Sequence, residues 1–164
     1  SFLKSGLREE NDSPKQIAEL QDYLNGLKRK YDYSSVFLVS AKTNIYYHYN
    51  GINKVVSRDD SHDVWYYNFV VSGIPHRLEV DTDEMVRNEL TVFVNCRIED
   101  DHGELMGVVG VGVKMRELQQ ILASFELDFD LTAFLVNREG VVQVHTSDAM
   151  IANATIDDLL PVSE

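Results

Sequence analysis

The 164-residue sequence has one cysteine, few basic residues for its acidic content, and no long apolar run. Cys96 has no partner for an internal disulfide, a pattern unusual for a secreted eukaryotic domain but common in bacterial periplasmic domains. The formal net charge of -12 repels phosphate backbones and anionic lipid, which argues against nucleic acid as a partner. The longest apolar runs, such as residues 108–113, are too short to cross a bilayer. We therefore expect any membrane helices to flank this stretch in a longer polypeptide.

The composition is that of a globular protein, with 44% hydrophobic and 26% charged residues. Ser13, Pro14 and Gln16 form a helix start with a capping box, and an apolar stripe at helical spacing follows it. That stripe, which predicts a long amphipathic helix, consists of Ile17, Leu20, Leu24, Leu27 and Tyr31. The sequence thus opens with a helical segment over residues 1–33.

The periodicity then changes to that of strands interrupted by short helices. Strands are predicted over residues 35–40, 45–49, 54–56, 76–81, 90–99 and 105–114, and helices over 64–71 and 115–125. A second unit begins near Leu127, with a strand pair over 131–136 and 141–145 and a helix start over 155–160. This order predicts an α+β fold with an antiparallel sheet flanked by helices. The expected domains are 1–33, a lobe over 34–126, and the truncated start of a second lobe over 127–164.

The spacing of the reactive residues does not indicate a catalytic site or a metal site. No catalytic residue is assigned. The sequence has no G-x-S-x-G motif, and Cys96 shares a strand face with Val94 and Ile98, so its side chain is expected to be buried in packing. The five histidines do not occur at metal-binding spacings, and residues 59–63 (DDSHD) read as a loop and helix cap, so no metal site is assigned. The glycines at 107, 110 and 112 match no nucleotide-binding motif and indicate close backbone approach within a strand. No cofactor is expected.

Five segments in order carry a resemblance to a known family. They are FLVS at 37–40, D-x-W-Y-x-x-F at 63–69, TVFVN at 91–95, GELMGVVGVGV at 103–113 and FLVNREGVVQVH at 134–145. The first four resemble the membrane-distal lobe of double Cache domains, the PAS-like extracytoplasmic sensors of bacterial transmembrane receptors. The fifth resembles the opening of their membrane-proximal lobe.

The resemblance implies a periplasmic, small-molecule-sensing part of an inner-membrane signalling protein that is not itself an enzyme. The parent's output is expected to be a diguanylate cyclase or histidine kinase rather than a chemoreceptor, since the motifs are most similar in style to those on cyclases and kinases. The membrane would be reached only through flanking helices. Two alternatives stay open. One is a module without a ligand that dimerises through the helix at 13–31. The other is an enzyme such as a metal-dependent hydrolase, which would need carboxylates and histidines converging in one cleft.

A PAS-like sheet with one face covered by a short helix implies a pocket for a small organic ligand. The expected wall residues are Tyr47, Tyr49, Trp65, Tyr66, His76, Arg77, Phe93, Asn95 and Arg97. Arg97 or Arg77 could hold a carboxylate through two hydrogen bonds, and a salt bridge is the alternative for Arg97. In the alternative interpretation, Trp65 and the tyrosines are core residues whose polar ends lie at the surface.

Two positions depart from the amino-acid-binding branch of the resembled family. That branch carries an Arg two residues before the Trp and an Asp late in the last distal strand. This sequence has Asp63 and Gly112 at those positions. The resemblance therefore implies a sensor that does not bind α-amino acids in the usual way.

Overall fold

The computed structural model describes residues 2–11, 13–83 and 89–160. The helices are α1 (Phe2–Arg8), α2 (Pro14–Tyr31), α3 (Val64–Ser72), α4 (Met115–Phe129) and α5 (Ile156–Leu159). The strands are β1 (Ser35–Ser40), β2 (Ile45–His48), β3 (Gly51–Val55), β4 (His76–Asp83), β5 (Glu89–Glu99), β6 (Leu105–Lys114), β7 (Leu135–Val136) and β8 (Val142–Val144). None of the helices in these ranges has the length and apolar character needed to span a bilayer.

The predicted α+β class is confirmed, and so are most of the predicted elements. α2 begins at the predicted cap, where the Ser13 side chain accepts a hydrogen bond from the Gln16 backbone N–H at 3.3 Å. α3 ends at Ser72, directly before the predicted stop at Gly73, whose φ of 66° suits glycine in this left-handed position. The prediction missed α1, a seven-residue helix too short to show a clear apolar period.

Six strands form one sheet in the order β3-β2-β1-β6-β5-β4, and β7 pairs with β8 in a second sheet. β1 is buried along its whole length because both of its faces are covered. Val36 and Leu38 belong to the core cluster that contains Leu24 of α2. Phe37 and Val39 belong to the cluster that contains residues of α3. These alternating side chains define an α2 face and an α3 face of the sheet.

The glycines of β6 allow its backbone to lie close to the side chains and backbone of β1, as the sequence indicated. Gly110 is paired with Phe37 across the two strands. A Cβ atom at Gly110 would overlap the Phe37 ring and lie 2.8 Å from Asn95 Oδ1. A Cβ at Gly107 would lie 2.6 Å from the Val39 carbonyl oxygen. Side chains at these two positions would therefore displace the α3-face packing and the β1 backbone, respectively.

The chain forms two compact units. The first comprises Ser1–Arg77 and Phe93–Gly112, and it contains the two core clusters on either side of β1. The second comprises Leu78–Val92 and Val113–Glu164. Its core is a cluster of Val92, Met115, Val144 and Ile151. The division into lobes at residues 34–126 and 127–164 stays a prediction.

Candidate functional site

The α3 face carries a group of aromatic rings centred on Phe37. The Phe37 ring stacks on Tyr46 at a centroid distance of 4.9 Å. It meets Trp65 and Phe93 edge-on at 5.5 Å and 6.1 Å. Trp65 in turn contacts Tyr66 at 5.8 Å. We call these five rings the α3-face cluster; they come from β1, β2, α3 and β5 and provide the apolar surface expected of a pocket for an organic molecule.

A buried ion pair fixes the loop that leads into α3. The Asp63 carboxylate is 1% exposed, and its Oδ1 lies 2.8 Å from Lys54 Nζ on β3. Its Oδ2 accepts a hydrogen bond from the Ser57 backbone N–H at 2.8 Å. Lys54 also pairs with Asp60 at 3.1 Å. The backbone N–H of His62, followed by Lys54, lowers the pKa of Asp60 to about 2. This network holds α3 against the sheet and presents its rings to the α3 face.

Arg97 secures the other end of α3. Its side chain is only 12% exposed. Nη1 donates to the Val70 carbonyl oxygen at 2.9 Å, which satisfies a carbonyl in the last turn of the helix. Nε donates to Glu99 Oε1 at 2.8 Å, so the structure contains the salt bridge that was one of the two alternatives for this residue. Contact of Arg97 with a ligand stays a prediction.

Polar groups of the α3 face are held in an apolar setting. Burial, followed by the neighbouring Tyr67, raises the pKa of Tyr66 to about 12, and Arg97 opposes this rise. Asn95 on β5 is 2% exposed. Phe93 and Trp65 are half-buried. The phenol of Tyr66 is therefore neutral at physiological pH and able to donate or accept a hydrogen bond.

The structure brings together only some of the nine predicted pocket residues. Trp65, Tyr66, Phe93 and Asn95 lie on the α3 face, and Arg97 adjoins them at the end of α3. His76 and Arg77 occupy the first two positions of β4, where His76 is exposed and Arg77 half-buried.

Tyr47 and Tyr49 lie on the α2 face, away from the other predicted residues. Tyr47 belongs to the α2-face core, and its hydroxyl donates to Glu10 Oε1 at 2.7 Å. Lys28 of α2 lies 5.0 Å above the Tyr49 ring. The side chains at 47 and 49 share a face because strand residues alternate, but their alternation alone does not say which face it is.

Two rings of the α3-face cluster, Phe37 and Tyr46, were absent from the predicted set. Alternation places Phe37 opposite Val36 and Leu38, and Tyr46 opposite Tyr47, but only the packing of α2 and α3 shows which of these sides is the α3 face. Within residues 2–11, 13–83 and 89–160, no three His, Cys, Asp or Glu side chains come together in a way that could hold a metal ion.

The long helix, the antiparallel sheet with α3 on one face, and the helix that follows β6 form an α+β fold that is also found in solved ligand-binding domains of bacterial chemoreceptors. The match with solved structures is the basis for this assignment, since no protein-family model matches the sequence.

Three solved structures illustrate the match. The ligand-binding domain of the Pseudomonas aeruginosa PAO1 amino acid chemoreceptor PctC, in complex with GABA, is 19% identical, with a TM-score of 0.60 over 98% of this chain and 69% of that one. The ligand-binding domain of the Pseudomonas fluorescens chemoreceptor CtaA, in complex with L-leucine, is 16% identical, with a TM-score of 0.62 over 96% of this chain and 65% of that one. The Escherichia coli DcuS sensor domain is 15% identical, with a TM-score of 0.50 over 71% of this chain and 79% of that one. The chain thus spans about two thirds of the length of the chemoreceptor domains that it matches.

Proposed function

We propose that this chain is the extracytoplasmic small-molecule-sensing part of a bacterial membrane receptor and has no catalytic activity of its own. The observation that supports this most strongly is the shared fold, which extends over almost the whole chain and is found in domains solved with small organic ligands. Sensing by such a domain requires only that a ligand prefer one of two arrangements of the protein. Flanking membrane helices would then carry the bias to an output domain.

The α3 face is the proposed binding surface. Its half-buried rings, Tyr46, Trp65 and Phe93, supply apolar contact area. Arg97 supplies a polar group at the end of α3, and the polar groups of Tyr66 and Asn95 are buried within the face. Because Glu99 and the Val70 carbonyl already engage Arg97, a ligand carboxylate would bind there by displacing Glu99. We therefore favour a small organic ligand with an aromatic or apolar body, and a carboxylate if Arg97 takes part.

We also propose that the ligand is not an α-amino acid bound in the way that the amino-acid-binding branch of double Cache domains binds it. Asp63 stands where that branch has an arginine, and its carboxylate is buried in the pair with Lys54. Gly112 stands where that branch has an aspartate, and its carbonyl accepts hydrogen bonds from both the backbone N–H and the hydroxyl of Ser34 at 2.9 Å. Position 63 therefore offers no positive charge for an α-carboxylate, and position 112 offers no carboxylate for an α-ammonium group.

The proposal is tested by thermal-shift screening of small organic acids, aromatic metabolites and the common amino acids. A ligand at one hundred times its Kd stabilises the folded state by about 2.7 kcal/mol, which is measurable as a rise in Tm. Trp65 is the only tryptophan, so its fluorescence reports on the α3 face directly. We expect a hit to change that fluorescence, and a large shift with an amino acid would contradict the exclusion just given.

Two conservative variants provide the control. Trp65→Phe removes the indole from the α3-face cluster, whereas Tyr49→Phe removes one hydroxyl on the α2 face. We expect Trp65→Phe to weaken binding of a hit and Tyr49→Phe to leave it unchanged. Equal effects of both variants would argue against the α3 face as the site.

A second candidate function is a module without a ligand that dimerises through α2. The packing of Phe37 against Tyr46, Trp65 and Phe93 favours it, because these rings already cover one another. It would be supported by a concentration-dependent dimer in light scattering that α2 surface variants disrupt, together with no hit in the screen.

The output domain of the parent protein is a separate question. The similarity to chemoreceptor domains favours a chemoreceptor, in contrast to the cyclase or kinase expected from the style of the sequence motifs. Fusing the sensing part to each type of output and measuring the ligand response would decide between them.

A further inference from the structure

A cavity of about 210 Å³ lies between α1, α2 and the α2 face of the sheet. Leu3 and Leu7 of α1, Leu20 of α2 and Leu38 of β1 contribute its apolar wall. An apolar cavity of about 150 Å³ can accommodate benzene. In proportion, this cavity has room for about eight non-hydrogen atoms. It is thus the size of a small aromatic or alkyl compound.

The polar part of the wall is acidic. Glu9, Glu10 and Glu19 line the cavity, and among its lining residues in the described part of the chain there is no lysine or arginine. Glu9 and Glu19 are exposed at the rim, and Glu10 is half-buried. Lys15 approaches Glu19 at 3.8 Å, but this is an exposed pair with little binding energy. The charge at the opening therefore complements a cation.

Three hydroxyl groups hold Glu10 in place. Ser40 Oγ donates to Oε2 at 2.6 Å, and Thr43 Oγ1 and Tyr47 OH donate to Oε1 at 2.9 Å and 2.7 Å. The Lys42 ammonium donates to the Glu10 backbone carbonyl at 3.3 Å rather than to its carboxylate. Since a carboxylate has about four lone-pair positions, these three bonds leave capacity for a further donor. A carboxylate already fixed by its neighbours costs little to order when a ligand binds.

We propose that this cavity binds a small organic cation, with its apolar body among the leucines and its ammonium group towards Glu9, Glu10 and Glu19. The site lies on the opposite face of the sheet from the α3-face cluster. It is therefore independent of the sensing site proposed above. Because α1 and α2 both contribute to the wall, occupancy favours the arrangement in which the two helices are docked on the sheet.

The experiment uses three probes of similar size and different charge. Benzylamine is cationic at neutral pH, benzyl alcohol is neutral, and benzoate is anionic. Each is titrated into the ¹⁵N-labelled chain, and amide chemical shifts are followed. We expect saturable shifts in α1, α2 and around Leu38 and Tyr47, with benzylamine binding most tightly and benzoate most weakly. The Trp65 indole signal should stay unchanged.

Variants distinguish the contribution of the acidic rim to binding from the contribution of the apolar cavity. The double variant Glu9→Gln and Glu19→Gln should weaken benzylamine by about two- to thirtyfold, the effect of losing two exposed charge pairs, and should leave benzyl alcohol unaffected. Asp22→Asn removes a negative charge from α2 at a position that does not line the cavity, and it is the matched control. Leu20→Phe fills part of the cavity and should abolish saturable binding of both probes.

The proposal is overturned if benzylamine and benzoate bind equally, if the Gln and Asn variants have the same effect, or if no shift saturates. It is also overturned if benzylamine perturbs Trp65 while α1 and α2 stay unchanged. These outcomes are distinct from failure of the sensing proposal, which is measured with other ligands at Trp65.

Discussion

Replacing Gly110 with alanine tests whether the Phe37 ring occupies the centre of the α3 face. A Cβ at this position would overlap the Phe37 ring and come within 2.8 Å of Asn95 Oδ1, so the ring or the backbone must move. Inserting one methyl group into a packed core of this kind costs about 1–3 kcal/mol of unfolding free energy. Because Phe37 meets Trp65 edge-on, the shift should also change the tryptophan fluorescence of the folded state.

The matched control is the same substitution at Gly26 of α2. A Cβ there would have no neighbour within 4 Å. Alanine is the better helix former by about 1 kcal/mol, so Gly26→Ala should stabilise the chain by up to that amount. Urea unfolding measures both variants, and the structure predicts free-energy changes of opposite sign.

A double variant tests whether the loss of stability in Gly110→Ala comes from the overlap with the Phe37 ring. In a Phe37→Leu background, the overlap with the new methyl group is relieved, so the cost of Gly110→Ala should fall. The coupling energy of the pair is expected to be about 0.5–3 kcal/mol, as for residues in direct contact. A neutral Gly110→Ala variant, or a cost that does not depend on residue 37, would refute the described packing of the α3 face.

Three further predictions concern the groups that hold α3. The pKa of Tyr66 is raised from 10.0 to about 12, so its contribution to stability should be complete below pH 10 and lost as the pH rises towards 12. Absorbance titration of tyrosinate in the wild type and in Tyr66→Phe measures this pKa. The variant should lack one phenol that ionises near pH 12 in the wild type. Arg97→Gln should lower the unfolding free energy by about 1–2 kcal/mol, because charged hydrogen bonds to Glu99 and to a carbonyl of α3 are lost. Asp63→Asn should lower the free energy of unfolding, measured in urea, by about 3 kcal/mol. This is the low end for a buried ion pair, because Lys54 keeps its contact with Asp60. A change below 0.5 kcal/mol, typical of surface substitutions, would contradict the pairing of Asp63 with Lys54.

The sequence predicted the elements better than it predicted the site. The cap at Ser13, the stop at Gly73 and the alternation of β1 are local signals, and each appears in the structure as expected. α1 carries no such signal over its seven residues. The hydroxyl groups around Glu10 come from positions 40 to 47, a separation of 30 or more residues that no local pattern reveals.

The position of Tyr47 and Tyr49 could not be predicted from local sequence patterns. Their two-residue spacing places both rings on one side of the segment formed by β2 and the residue after it, but the pairing of β2 with β1 decides which face that is. Tyr47 pairs with Leu38, a residue of the α2 face, so it lies under α1 and α2 rather than beside Trp65. A slip of one residue in this pairing would have placed it on the other face.

The chain order of most strands and helices, the strand alternation, and the cap at Ser13 and stop at Gly73 were determined by the sequence alone, because they depend on neighbours a few residues apart. The assignment of each ring to a face, the burial of Asp63 with Lys54, and the acidic cavity under α1 and α2 were decided by tertiary structure. Each of these depends on the strand register and on the packing of a particular helix against the sheet, which bring together residues distant in the sequence.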